Sequence, residues 1–315
     1  MVTVLITGGS GFIGSNLAHR LSKSKNNIEL FVRSNSDLWR LNGLTSKINI
    51  HQVDILKKKE LNSKINTIKP DIVYHCATYG VQNFQKDFYK MMNINCIGTY
   101  NLLESLLKYD NAKKIINVGS SFEYGMQSNS FKENHLSIPT TLYGISKNNQ
   151  TNIAQYFAKH QNLPVITFRV FYAYGKYDAP GRLMADMMYA LINKTKMKLA
   201  EKNTIRDFIY IDDVIDALIL GMKTNVPYGE IFDIGTGMGH TVYQVFGEIQ
   251  KITKNTINVS WNNKDRMRDF DKIKSKNVAN IDKIKNILKW IPNNSFKMGI
   301  NKTYKWYVEN IDLYK

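Results

Sequence analysis

Two patterns of apolar residues alternate along this chain. Short runs rich in β-branched residues are separated by longer stretches in which apolar residues recur every three or four positions. The short runs are typical of buried strands, and the longer stretches are typical of helices with one apolar face. This alternation favours a parallel sheet with helices on both faces. The predicted strands of the first half are Val2–Thr7, Ile28–Val32, Ile48–Val53, Asp71–His75, Lys114–Val118 and Pro164–Val170.

The pattern becomes looser after Phe171, and we expect two lobes that exchange segments. The sheet lobe is predicted to comprise residues 1–170 and 204–235, and a smaller, discontinuous C-terminal lobe residues 171–203 and 236–315. Later strands are predicted at Thr204–Ile211 and Glu230–Ile234. The predicted helices are Phe12–Lys23, Lys57–Ile68, Asp87–Lys108, one ending near His160, Leu183–Asn193, Asp212–Met222 with an aspartate cap, Thr241–Thr253, and further helix after Asn280.

A glycine-rich turn joins the first predicted strand to the first helix. Gly8 and Gly9 allow a sharp turn, and Gly11 lets backbone N–H groups approach a pyrophosphate without an intervening Cβ. Gly14 lets the helix lie close to the sheet. Phosphates would then lie at a helix N-terminus, which favours an anion. The turn therefore predicts the first unit of a Rossmann dinucleotide-binding fold, a doubly wound parallel sheet of the α/β class.

The end of the second strand bears on the choice of cofactor. NAD-binding versions of this fold place an acidic residue there to bind the adenosine ribose, whereas this strand ends in Arg33. A guanidinium can bind a ribose 2′-phosphate through two hydrogen bonds. We therefore expect NADP(H), with NAD(H) as the alternative because Asp37 could bind the ribose instead.

Tyr143 and Lys147 are the residues best suited to proton transfer. They stand four positions apart at the start of a predicted helix and so project from one face. A nearby ammonium is expected to lower the pKa of the Tyr143 phenol. Ser120 follows the fifth predicted strand, at the edge where ligands bind in this architecture. Its hydroxyl is expected to bind the substrate oxygen that gains or loses a proton.

Composition and charge narrow the function classes. The chain has 315 residues, 43% of them hydrophobic, and a formal net charge of +17. Its lysines are dispersed and are not interleaved with aromatic residues, so we expect a solvated basic surface and no nucleic-acid partner. No long apolar run predicts a membrane span, and the first strand leaves no room for a signal peptide. Two cysteines suit a reducing cytoplasm, and no metal-ligand spacing is present.

Five motifs together resemble the extended short-chain dehydrogenase/reductase family that acts on nucleotide sugars. They occur in the family's order: GGSGFIG at 8–14, NCIGT at 95–99, VGSSFEYG at 118–125, YGISK at 143–147 and RDFIYIDDV at 206–214. The resemblance implies a catalytic triad of Ser120, Tyr143 and Lys147. It also implies that Asn95 supports the active site and that a homodimer is possible.

The resemblance and the residue pattern together define two predicted sets. The cofactor-binding set is Gly8, Gly11, Phe12, Ile13, Gly14, Arg33, Asp54, Ile55, Ala77, Thr78, Asn95, Tyr143 and Lys147. The substrate-binding set is Ser121, Glu123, Tyr172, Arg182, Arg206, Arg266 and Arg268, the last three toward the diphosphate of a sugar nucleotide.

Departures from the family pattern indicate the reaction. Members that eliminate water across C5–C6 usually carry an acidic pair directly after the triad Ser or Thr, whereas here Ser121 and Phe122 follow. Many 4-epimerases carry Asn where this chain has Tyr172. With Arg33, these features resemble NADPH-dependent reductases of 4-keto-6-deoxy nucleotide sugars, including the CDP-abequose and CDP-paratose synthase group.

We therefore expect NADPH-dependent reduction of the C4 ketone of a nucleotide-linked sugar. One alternative is a 4-epimerase that keeps its NAD bound. Another, of a different class, is an NADP-sensing binding protein without turnover, which the intact triad disfavours.

Overall fold

The predicted parallel sheet is confirmed. The computed structural model describes residues 1–44, 47–82, 84–125, 136–200, 202–263 and 276–314. Its strands are β1 (Thr3–Thr7), β2 (Asn27–Val32), β3 (Asn49–Gln52), β4 (Ile72–His75), β5 (Lys114–Ser120), β6 (Val165–Val170), β7 (Tyr172–Tyr174), β8 (Met197–Lys198), β9 (Ile205–Arg206), β10 (Phe208–Tyr210), β11 (Ile231–Ile234), β12 (His240–Thr241), β13 (Val259–Ser260) and β14 (Lys276–Asn277). Seven of them form one sheet in the order β11-β6-β5-β4-β1-β2-β3, with every pair parallel.

Helices cover both faces of this sheet. They are α1 (Phe12–Leu21), α2 (Lys58–Ile68), α3 (Phe88–Met92), α4 (Gly98–Tyr109), α5 (Leu142–His160), α6 (Leu183–Asn193), α7 (Ile211–Lys223), α8 (Val242–Thr253), α9 (Asp282–Leu288) and α10 (Phe296–Asn310). Within the described part of the chain, none of these helices combines the length and the apolar character that crossing a membrane requires.

Alternating strand residues feed two separate cores. In β1, Val4 and Ile6 contact the core that contains α1, α6 and α7, whereas Leu5 contacts the core that contains α2, α4 and α5. All three side chains are fully buried. Because successive side chains of a strand point to opposite faces, a strand covered on both sides must be apolar throughout, which explains the short apolar runs in the sequence.

The strand order reverses between β1 and β4. The chain winds outward from β1 to β3, returns to β4 on the other side of β1, and continues outward through β5 and β6. In doubly wound sheets a crevice for ligands opens beyond the carboxyl ends of the strands at this reversal. The ends of β1, β4 and β5 are therefore where the site is expected.

One predicted strand differs from the structure. Thr204–Ile211 was predicted as one strand, but it divides at Asp207 into β9, which pairs with β12 and β14, and β10, which pairs with β7. The Asp207 carboxylate is buried and accepts hydrogen bonds from the backbone of Thr236, Gly237 and Ala279. The Asp207 carboxylate thus joins three segments of the chain and interrupts the strand at this position. A pattern of apolar residues cannot reveal such contacts.

The helix boundaries differ at two further places. The stretch 87–108 is not one regular α-helix, since a π-helical turn at Asn93–Ile97 separates α3 from α4. The predicted aspartate cap of α7 is wrong. The N-cap is Tyr210, and Asp212 and Asp213 lie in the first helical turn, where acidic side chains interact favourably with the helix dipole.

Gly221 provides a test of how closely α7 packs on the sheet. A Cβ at Gly221 would lie 2.4 Å from the ring of Phe168 in β6, which is fully buried. Gly221→Ala should therefore lower the free energy of unfolding by about 1–3 kcal/mol through overpacking. Gly247 in α8 is the matched control, because a Cβ there meets no atom within 4 Å.

Gly247→Ala should raise the free energy of unfolding by about 0.5–1 kcal/mol, since alanine is the better helix former. Urea denaturation of both variants measures the two changes. Equal stability of the two variants would contradict the packing described.

Candidate active site

The glycine turn between β1 and α1 is shaped by close backbone contacts. Gly8 has a φ of +66°, and a Cβ there would lie 2.7 Å from the backbone of Ala77. A Cβ at Gly14 would lie 2.4 Å from the carbonyl oxygen of Gly8. These contacts hold the start of α1 against the ends of β1 and β4. The turn thus requires glycine at both positions.

The start of α1 is suited to a phosphate group. Its N-cap is Gly11, no side chain caps the helix, and its first turn contains no acidic residue. Among the described residues beyond its chain neighbours, a Cβ at Gly11 would meet just the Gly8 carbonyl oxygen, at 3.2 Å. The first N–H groups of the helix therefore face open space, which fits a dinucleotide pyrophosphate.

One pocket of about 560 Å³ joins this turn to the strand ends. It extends from β2 past β4 and β5 to α5. Sixteen of the predicted site residues line it: Gly8, Gly11, Phe12, Ile13, Gly14, Arg33, Asp54, Ile55, Ala77, Thr78, Ser120, Ser121, Tyr143, Lys147, Tyr172 and Arg182. A second groove of about 780 Å³ runs from Arg33 and Asp54 past the start of α2 to α3, and none of the triad lines it.

Asn95 does not line this pocket, unlike the other predicted cofactor-binding residues. It lies in the π-helical turn, and its side-chain amide bonds both backbone groups of Tyr79, at 2.8 Å each. It also accepts from the Thr78 hydroxyl at 3.2 Å and donates to Ser146 at 2.9 Å. Asn95 therefore holds the segment after β4 against α5, and its part in binding a cofactor stays a prediction.

Glu123 was predicted to bind substrate, but the structure directs its side chain away from the pocket. One carboxylate oxygen accepts the backbone N–H of Ser120 at 2.7 Å, and the other pairs with Arg169 Nε at 2.7 Å. Glu123 is 0% exposed and Arg169 3%. The Glu123–Arg169 pair holds the backbone at Ser120 in position. Glu123 therefore lies behind Ser120 and does not face the pocket.

The remaining predicted arginines lie in three kinds of place: at the pocket wall, behind it, and outside the described residues. Arg206 is buried in β9 with its guanidinium 5.0 Å from the ring centre of Tyr172, which does line the pocket. Arg182 lines the pocket and pairs with the buried Asp178 at 2.9 Å. Arg266 and Arg268 both fall outside the described residues.

Tyr143 lies at the pocket wall, partly buried, and hydrogen-bonds with the hydroxyls of Ser120 and Thr78. Burial raises the pKa of Tyr143 to about 12. The predicted lowering of this pKa by Lys147 is wrong for this structure, because the lysine ammonium is bonded elsewhere. The phenol is therefore protonated at neutral pH.

Lys147 is almost fully buried in α5 beneath the pocket. Its ammonium donates to the carbonyl oxygen of Val118 and to the side-chain oxygen of Gln150, both at 2.6 Å. Burial lowers the pKa of Lys147 to about 8, so the ammonium persists at neutral pH and is lost above it. The site thus places one protonated phenol and one ammonium on the same helix turn.

Residues 4–235 match the model of the NAD dependent epimerase/dehydratase family. This chain belongs to that family. The extended short-chain dehydrogenase/reductase resemblance is thereby confirmed.

Relatives of this family member differ in their reactions. A dTDP-D-glucose 4,6-dehydratase from Dictyostelium discoideum is 32% identical over 254 residues, covering 74% of this chain and 58% of the relative. A putative UDP-glucose 4-epimerase from Methanocaldococcus jannaschii is 28% identical over 98% of this chain and 99% of the relative. The UDP-glucose 4-epimerase structure from Thermotoga maritima superposes with a TM-score of 0.88 at 24% identity, covering 98% of this chain and 100% of that one.

His75 and Cys76, at the end of β4, are structural in this family member. His75 is buried between the hydroxyls of Thr7 and Thr99, at 2.7 and 2.8 Å, and burial lowers its pKa to about 3. Burial raises the pKa of the Cys76 thiol to about 12. Both groups are neutral at physiological pH, and neither is an activated base or nucleophile.

Phe122 and Arg40 are among the pocket residues to which the sequence assigned no role. Phe122 lies between Tyr143 and Tyr172, with ring centres 5.8 and 5.7 Å away, and gives the pocket an aromatic wall. Arg40 lines the pocket near the glycine turn and donates from Nε to the carbonyl oxygen of Tyr177 at 2.8 Å. Phe122 lies within the motif at 118–125, but the motif does not show that its ring faces Tyr143 and Tyr172; no motif contains Arg40.

The Glu123–Arg169 pair generates a stability prediction. Glu123→Ala should lower the free energy of unfolding by about 3–5 kcal/mol, because it leaves the Arg169 charge buried without its carboxylate. Arg169→Met should have a similar effect for the converse reason. In urea denaturation the double variant should lose less stability than the sum of the single variants. Strictly additive losses would show that the two side chains do not interact.

Proposed function

We propose that this protein is a nicotinamide-dependent oxidoreductase acting at C4 of a nucleotide-linked sugar, with 4-epimerisation as its overall reaction. The observation that supports this most strongly is that Ser120, Tyr143 and Lys147 line the same pocket as the glycine turn. Family membership supports the cofactor class, and the full-length relatives named 4-epimerases support the reaction.

The cofactor would occupy the pocket from the turn to Thr78. The first N–H groups of α1 would bind its pyrophosphate, and Asp54 and Ile55 would contact the adenine end. Ala77 and Thr78, beyond β4, would adjoin the nicotinamide ribose. When bound, the nicotinamide supplies or accepts the hydride exchanged at C4.

The chain's own residues would handle the proton and the oxygen at C4. The Tyr143 phenol would donate its proton to the C4 oxygen when the ketone is reduced and take it back when the alcohol is oxidised. The Ser120 hydroxyl would bind the same oxygen and orient it. The Lys147 ammonium would hold the ribose through the N–H group that faces the pocket.

The substrate would extend from this centre toward the C-terminal lobe. Arg182 and Tyr172 line the pocket, and Arg206 lies against Tyr172, so the diphosphate of a nucleotide sugar would meet two guanidinium groups there. Ser121 and Phe122 would face the sugar. Because the Glu123 carboxylate is bonded to Arg169, no acid from this segment is positioned to eliminate water, which disfavours a 4,6-dehydratase.

A second candidate is the NADPH-dependent 4-ketoreductase expected from the sequence. Exposed Arg33 at the adenine end of the pocket favours it, since a 2′-phosphate there would meet a guanidinium. The two reactions share the chemistry at C4. They differ in whether the hydride returns to the sugar from which it came.

A single assay separates the two candidates. Purified protein is incubated with UDP-glucose, UDP-glucuronate and 4-keto-6-deoxy nucleotide sugars, with and without added NADPH, and the products are identified by NMR. Interconversion of C4 epimers without net cofactor consumption supports epimerisation. NADPH loss matched by formation of an alcohol product would show that the reaction is ketoreduction and not epimerisation. No change at C4 in any sugar would refute the proposal.

Tyr143→Phe tests the assigned proton donor. The variant lacks the phenolic hydroxyl but keeps the ring that packs on Phe122, so fold and cofactor binding should persist. Single-turnover hydride transfer should slow by at least about 100-fold. A rate near that of the unmodified enzyme would rule out Tyr143 as the proton donor.

Arg33→Asp tests the cofactor preference. If Arg33 binds a 2′-phosphate, the variant should weaken NADPH binding by about ten- to a hundredfold relative to NADH. Fluorescence titration of both dinucleotides against both proteins measures the ratio. An unchanged ratio would mean that Arg33 makes no contact with the 2′-phosphate.

A further inference from the structure

A chain of buried hydrogen bonds runs from Lys147 into the sheet. The lysine ammonium donates to the Val118 carbonyl oxygen and to Gln150 Oε1, each at 2.6 Å. Gln150 Nε2 donates to Asn117 Oδ1 at 2.6 Å, and Asn117 Nδ2 donates to Thr167 Oγ1 at 3.1 Å. None of the four side chains is more than 2% exposed. These bonds are therefore buried.

This chain fixes the orientation of the Gln150 amide. Asn117 and Thr167 are register partners on β5 and β6, and Gln150 stands three residues after Lys147 on α5. Because the Gln150 nitrogen is occupied by Asn117, the amide oxygen must face the ammonium. A reversed amide would place two donors against each other on the Lys147 side and two acceptors against each other on the Asn117 side. The amide thus has one favourable orientation.

These bonds also set the direction of the N–H groups of the Lys147 ammonium. Two of its three N–H groups are held by Val118 and Gln150, and the third remains for the pocket that Lys147 lines. A buried ammonium loses the water that would otherwise stabilise its charge. An amide oxygen at 2.6 Å replaces part of that hydration and favours the charged form.

We propose that Gln150 is a positioning residue for Lys147. The Gln150 amide directs the Lys147 ammonium into the pocket and keeps it charged. This rests on the proposed role of Lys147 in holding the cofactor ribose. Gln150 itself lies beneath the pocket and does not line it.

The other groups around Lys147 leave this role to Gln150. Burial raises the pKa of the thiols of Cys76 and Cys96 and lowers that of His75, so all three are neutral near pH 8. The Tyr143 phenol, with its pKa raised to about 12, is neutral there too. Glu123 is the carboxylate that acts on Lys147, and it is paired with Arg169.

Two variants of Gln150 should move the pH dependence in opposite directions. Gln150→Leu keeps a side chain of similar size but removes the acceptor. Lys147 should then lose its proton at a pH about one to two units lower. Gln150→Glu places a carboxylate at the same atom and should move the loss to higher pH. The pH at which Lys147 is half deprotonated is measured as the midpoint of the fall in NADPH and NADH affinity between pH 6 and pH 10, by fluorescence titration. The alkaline side of the pH profile of turnover gives a second measurement of the same midpoint.

Gln155→Leu is the matched control. Gln155 lies on the same helix, and its amide donates to the Gly229 carbonyl oxygen at 2.6 Å, away from the site. This variant should lose some stability without moving the midpoint of cofactor affinity. If Gln150 had a purely structural role, its variants would likewise lose stability without moving the midpoint of cofactor affinity.

Unchanged midpoints in both Gln150 variants would therefore overturn the proposal. Shifts in opposite directions would support it. The affinity titration needs no sugar substrate, so this result stands even if the assays at C4 show no turnover and the proposed function fails.

Discussion

The carboxyl end of β5 holds the site together. Its backbone supplies the Val118 carbonyl oxygen that binds the Lys147 ammonium and the Ser120 N–H that binds Glu123. Strands β4 and β6 pair with β5 on its two sides, and all seven of its residues are buried. A rigid, fully paired strand therefore sets the relative positions of the serine, the lysine and the charges behind them.

Behind this strand end, paired charges take the place of solvent. Arg169 on β6 binds Glu123 and lies 4.5 Å from the ring centre of Tyr124. The Tyr124 hydroxyl donates to Asp233 on β11 at 2.9 Å. Removing one member of such a buried group costs more than an exposed ion pair would, because a charge or a polar group is left without hydration. The segment Ser121–Tyr124 is thus tied to the neighbouring strands.

The sequence predicted most of the fold, and most of the predicted site residues line the pocket. Gly8, Gly14, Ser120, Tyr143 and Lys147 were found because each needs a local feature: a turn, a strand end or a helix spacing. The orientation of Glu123 could not be found this way, since Arg169 on another strand decides it. The same holds for the division of Thr204–Ile211, which Asp207 requires, and for the pKa of Tyr143, which depends on burial and on where the Lys147 ammonium points.

The central claim is that hydride is exchanged at a sugar C4 in the pocket lined by Ser120, Tyr143 and Lys147. Single-turnover rapid quench with C4-deuterated hexoses linked to UDP, dTDP, CDP or GDP, in the presence of oxidised NAD or NADP, tests it directly by mass spectrometry of the dinucleotide. The account predicts that deuterium appears on the dinucleotide with at least one of these sugars, whether the enzyme is an epimerase or a reductase running in reverse. A dinucleotide that stays free of deuterium with every sugar would contradict it.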